Sequence, residues 1–110
     1  MSKISRRNPS NVRLENTGPG QMKVEGDLIF ATATALWKIS QRRMAAAGGD
    51  ITIDLAGVRR ADSAGLALLV EWLRLAQRQN RRIHFAHLPK QLLTMAKTYD
   101  LESLLPIAHG

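Results

Sequence analysis

Asp62-Ser63-Ala64-Gly65 stands at the head of the longest helical pattern in the chain. Either Asp62 or Ser63 can accept the unpaired amides of a helix start. A hydroxyl there lies beside the positive end of the helix dipole, a setting that favours an anion and would stabilise a phosphorylated Ser63. Small Ala64 and Gly65 leave the first turn open to close approach by another molecule's backbone. Asp and Ser are also the commonest residues at helix starts, so capping alone accounts for the pair as well.

Other chemistry is sparse. His84 and His87 sit three apart, with no cysteine in the chain and no carboxylate pair beside them, which fits surface or packed histidines better than metal ligands. Asp54 and Asp62 are separated by seven residues and have no identifiable base partner. Ser63 lacks a His–Asp activating pair and the Gly-x-Ser-x-Gly elbow, and no Gly-rich loop with a lysine is present to cradle phosphates. The expectation is a non-enzyme that uses neither metal nor cofactor.

The elements that must position Ser63 follow from periodicity. Val12 to Asn16 and Gln21 to Gly26 read as strands joined across Gly18-Pro19-Gly20, a hairpin. A helix carries Leu36, Trp37, Ile39, Met44 and Ala47, with Thr32 or Thr34 as its start and Gly48-Gly49 as its stop; Asp27 could cap an earlier turn. Asp50 to Leu55 alternates as a strand, and a connection from residue 56 leads to the helix from Ser63 to about Asn80. Arg82 to Ala86 is a further strand, Pro89 opens a third helix in its first turn, and residues 100–105 form a short turn of helix. Strand–helix–strand repeats imply right-handed crossovers and partly parallel pairing, hence an α/β fold.

Length and charge bound the rest. At 110 residues the chain fits one domain, residues 11–106, with a basic arm at 1–10 and a fraying tail at 107–110. Lys and Arg number 16 against 9 acids, a net charge of +7, and residues 1–13 hold four of the basic residues and no acid. Such an arm can meet nucleic acid, an anionic membrane surface or an acidic partner, or simply be solvated. Aromatic residues are only 5% and no recognition-helix or RNA-sheet motif is present, so nucleic acid is not expected as a partner. No apolar run reaches the ~20 residues of a membrane span, and the start lacks a secretory signal's apolar region. Absence of cysteine suits a reducing cytoplasm.

In the 63–80 helix, Leu66, Leu69, Val70, Leu73 and Ala76 form a stripe to face the sheet, and Leu68, Trp72 and Leu75 a second flank. That flank either packs against a neighbouring helix or, if Trp72 is exposed, offers a protein-binding surface. The strand with Asp54-Leu55, followed by Asp62-Ser63-Ala64-Gly65-Leu66 and preceded by Val24-Glu25-Gly26-Asp27-Leu28, resembles the signature of the STAS domain family. The resemblance spans residues 12–105. It implies a small mixed sheet of four to five strands with helices packed against it.

Within that family, Leu36-Trp37, Gly65-Leu66-Ala67-Leu68-Leu69 and the Leu93–Leu101 segment are most similar to the small STAS subunits of phospholipid ABC transporters. Those complexes maintain outer-membrane lipid asymmetry in Gram-negative bacteria. The resemblance implies a cytoplasmic subunit, peripheral at the inner membrane, that binds the transporter's ATPase through Ser63, Asp62, Ala64, Gly65, Leu68, Trp72 and Leu75. The family also contains anti-sigma factor antagonists, in which Ser63 would be phosphorylated by a partner kinase. Transporter members often carry threonine at this position and phosphorylated antagonists serine, so a hydroxyl is kept either way. Pairing into a homodimer stays open.

Overall fold

Alternating apolar residues and a tight turn build the edge hairpin. β1 (Val12–Gly18) runs antiparallel to β2 (Gln21–Leu28), with Arg13 opposite Glu25 and Leu14 opposite Val24. These elements come from a computed structural model, which describes residues 12–46 and 48–108; the basic arm at 1–10 and Ala47 lie outside the described residues. After β2 follow α1 (Phe30–Ala46), β3 (Ile51–Ala61), α2 (Ser63–Arg78), β4 (Ile83–Ala86), α3 (Lys90–Thr98) and β5 (Ile107–Ala108).

The sheet order is β1-β2-β3-β4-β5, antiparallel at β1/β2 and parallel from β2 onward. Each strand–helix–strand unit steps in the same direction across the sheet. Right-handed crossovers therefore lay all three helices on one face. On that face Val24, Leu28, Ile51, Ile53, Leu55 and Phe85 are fully buried against Leu36, Met44, Leu69, Trp72 and Leu92. The other face carries ion pairs instead, Arg13 to Glu25 at 2.6 Å and Lys23 to Glu25 at 3.7 Å.

Three expectations are corrected. Residues 56–61, expected as a connection, continue β3 along β2 as far as the Leu28–Ala61 pair. Two register shifts, opposite Lys23/Glu25 and Gly26/Asp27, break the alternation. Only residues 51–54 of β3 pair with β4, so its second half has one strand neighbour and tolerates polar Arg59 and Arg60.

Ile107 and Ala108, expected in the fraying tail, pair with Phe85 and Ala86 as a short fifth strand. A two-residue strand is too short to leave a periodic signature. Helix α1 starts at Phe30, ahead of Thr32 and Thr34. Thr32 is buried inside the first turn, where its hydroxyl accepts the Ile29 amide at 3.1 Å and donates to the Asp27 carbonyl at 2.7 Å. This is the return half of a capping box, with Thr in the place usually held by Glu or Gln.

Candidate functional site

Asp62 organises the end of the sheet where both long helices begin. As the N-cap of α2, its Oδ1 accepts the amides of Ala64 at 2.9 Å and Gly65 at 3.4 Å. Its Oδ2 accepts the amide of Phe30 at 3.1 Å, so one carboxylate holds the first residue of α1 and the first turn of α2 together. Below it, Asp27 is buried between Arg60 at 3.2 Å and Arg59 at 3.9 Å, which fixes the ends of β2 and β3. Ser63 is the first helical residue, not the cap, and its side chain is exposed.

Because Asp62 clamps the two helix starts, a cleft opens between them. It measures about 280 Å³ and is lined by Phe30, Ala33 and Trp37 from α1 and by Ala64, Ala67 and Leu68 from α2, with Thr34 and Glu71 at polar positions. Phe30 is 83% exposed, a large apolar surface left in water at the cleft's mouth. Such a lining, mostly apolar with a few polar groups, suits a protein segment better than a small charged substrate.

The expected site residues separate into two groups. Ala64 and Leu68 line this cleft, Leu68 as its nearly covered floor, while Ser63 precedes Ala64 in the chain and is exposed outside the lining. Gly65 is buried against the chain itself. A Cβ on it would stand 2.5 Å from the Leu28 carbonyl oxygen, so the close approach its small size permits is made by the chain's own β2. Trp72 and Leu75 are likewise buried, Trp72 completely, and add no contact area for a partner. The Trp72 indole N–H donates to Ser40 Oγ at 2.7 Å, inside the α1–α2 packing. The flank containing Trp72 is thus a helix–helix seam. Phe30 and the cleft escaped the sequence reading because a lone Phe at the first position of a helix has no periodic signal; what marks it is its position beside Asp62, visible only once both helices are placed.

The two histidines part company. His87 Nδ1 lies 3.0 Å from Asp54 Oδ1 at the end of β4, while His84 pairs across the sheet opposite Thr52. Among the described residues no three His, Cys, Asp or Glu side chains gather as a metal site. Burial is the largest influence on the Asp54 carboxyl and pushes its pKa up, but the Ala56 amide, the His87 hydrogen bond and nearby positive charge outweigh it and hold it below 3.8. A carboxyl with a depressed folded pKa contributes stability above its unfolded value and loses it as pH falls through the folded one. Asp54→Asn is therefore expected to flatten the acid limb of the stability–pH curve below about pH 4. With Asp54 34% exposed, solvent screening keeps the effect under about 1 kcal/mol. Urea unfolding at pH 3 and pH 6 checks it.

Comparison with known proteins places this arrangement. The fold is shared with an assigned anti-sigma factor antagonist from Thermotoga maritima, at TM-score 0.74 and 13% identity, covering 90% of this chain and 86% of that one. It is shared also with the anti-sigma factor antagonist SpoIIAA in its unphosphorylated form, at TM-score 0.64 and 18% identity, over 90% and 88%. In sequence, the family described as "Mlab, STAS domain" matches residues 13–106. The chain belongs to that family of STAS domains. Among its relatives is the intermembrane phospholipid transport system binding protein MlaB of Haemophilus influenzae, 34% identical over 79 residues, 69% of this chain and 75% of the relative. The Escherichia coli protein of the same name is 32% identical over 80 residues, 73% of this chain and 79% of its own length.

Proposed function

We propose that this chain is a non-catalytic STAS subunit of an ABC-type phospholipid transporter, docking the transporter's ATPase at the start of α2. The observation that carries the reading is the open apolar cleft between the starts of α1 and α2, beside exposed Ser63. Its relatives named for intermembrane phospholipid transport give the system in which such a surface would serve. No helix among the described residues is long and apolar enough to cross a membrane, so membrane attachment would come through the partner. Asp62 sets the geometry, Ser63 and Ala64 form the contact edge, and Phe30, Trp37, Ala67 and Leu68 supply apolar area. The work of the subunit is binding, and it takes place on the cytoplasmic side of the inner membrane.

The test is co-purification of the tagged chain with the ABC ATPase and permease of its own host, with Ser63→Arg in parallel. Because Ser63 is exposed, the variant is expected to fold within about 0.5 kcal/mol of the parent. A bulky cation at the contact edge is expected to weaken ATPase binding about 100-fold or more, the size of a hot-spot loss. Unchanged recovery of the ATPase by a folded Ser63→Arg variant would remove the contact from this surface. Recovery of a sigma-pathway kinase, with phosphate on Ser63 by intact mass, would move the protein to the antagonist branch.

A further inference from the structure

We infer that the end of the sheet opposite Ser63 holds a small inorganic anion, of about the size of chloride, between Arg81 and Arg43. This inference stands apart from the ATPase reading. Three segments converge there: the β1–β2 turn, the C-terminal end of α1 and the loop between α2 and β4. The Arg81 guanidinium ties two of them, donating from Nε to the Gly49 carbonyl at 2.8 Å and from Nη1 to the Met44 carbonyl and to Gln79 Oε1. Arg43 ties the β1 strand that leads into the turn, donating from Nη1 to the Leu14 carbonyl and to Asn16 Oδ1.

These bonds leave the buried Nη2 of Arg81 with no partner. Both arginines line a small cavity of about 20 Å³, whose lining also includes Asn16 and Gln21 and no acidic residue. Among the described residues neither arginine forms a salt bridge with an acid. A cavity of that size takes one water-sized group. Water would satisfy the N–H bonds but not the charge. Two cationic side chains against a shared pocket without a counter-charge favour an anion, since partial burial weakens the screening of their charges by water.

The experiment melts the whole chain at constant ionic strength while chloride replaces gluconate, an anion too large for the pocket. A saturable rise in Tm of about 5 °C is expected on going to 100 mM chloride, as for a ligand that binds only the folded state. Asn16→Asp supplies a carboxylate at the pocket wall, close to Arg43. It is expected to abolish the chloride response while raising Tm in gluconate, whereas Gln77→Glu on the exposed face of α2 should keep the response. Crystals grown in bromide should show an anomalous peak within hydrogen-bond reach of Arg81 Nη2. Equal melting in chloride and gluconate, a full response in Asn16→Asp, or water in place of bromide would each overturn the inference.

Discussion

Gly65→Val is expected to leave little folded protein at 37 °C, and Gly65→Ala to lower stability by about 2 kcal/mol, in spite of alanine's advantage of about 1 kcal/mol inside a helix. The reason lies outside α2. A Cβ at residue 65 meets the Leu28 carbonyl oxygen at 2.5 Å and Leu28 Cγ at 3.1 Å. The oxygen is backbone, held at the end of β2, and it also accepts the Asp62 amide at 3.3 Å. It cannot retreat without moving the Asp62 clamp and hence the start of α1.

Gly57 makes a useful control. A Cβ there meets Glu25 Cγ at 2.8 Å, part of a flexible side chain, and the Val24 carbonyl at 3.0 Å. Gly57→Ala is expected to cost less than Gly65→Ala. Thermal melts of the three variants against the parent decide the matter. If Gly65→Ala melts with the parent, the close packing of α2 on β2 is not what the glycine provides. A second consequence is functional: the Gly65→Ala protein that remains folded should bind the ATPase more weakly, because the cleft walls are set by that same clamp.

The hairpin and the three helices were legible in the chain because local rules agree there. Gly18-Pro19-Gly20 punctuates two alternating runs, and each helix has its own apolar spacing. The Asp62-Ser63 start was legible for the same reason. What the sequence could not show depends on neighbours. The second half of β3 lacks alternation because two register shifts against β2 interrupt it. The use of Gly65 depends on where β2 ends. Whether Leu68, Trp72 and Leu75 face a partner or an adjacent helix depends on how α1 lies on α2; the seam buries Trp72 and leaves only the Leu68 edge beneath the cleft. Asp54 and His87, read separately as a carboxylate and a stray histidine, meet only because β3 and β4 are parallel neighbours.

Trp72 gives the largest effect expected from a single truncation. Trp72→Ala should destabilise the domain by about 4 kcal/mol, most of what a marginally stable domain can lose. The indole is fully buried, stacks at a tilt against Phe85 with ring centroids 6.4 Å apart, and is tied by its N–H to Ser40. Ser40 in turn donates to the Trp37 carbonyl at 2.8 Å, so the polar atoms in this seam form a satisfied chain from α2 to α1. Trp72→Phe tests the polar part apart from the bulk. It removes the donor to a fully buried hydroxyl and leaves a void where the second ring was, at a cost of about 2 kcal/mol. Ser40→Ala strands the indole N–H instead. Because each single change leaves a buried partner unpaired, the double variant Trp72→Phe/Ser40→Ala should be less destabilised than the sum of the two by about 1 kcal/mol. Additive losses in urea unfolding would mean that the hydrogen bond adds nothing beyond packing. A sub-additive loss, together with weaker ATPase binding by Trp72→Phe, would show that the seam beneath the cleft holds α1 and α2 at the spacing the partner reads.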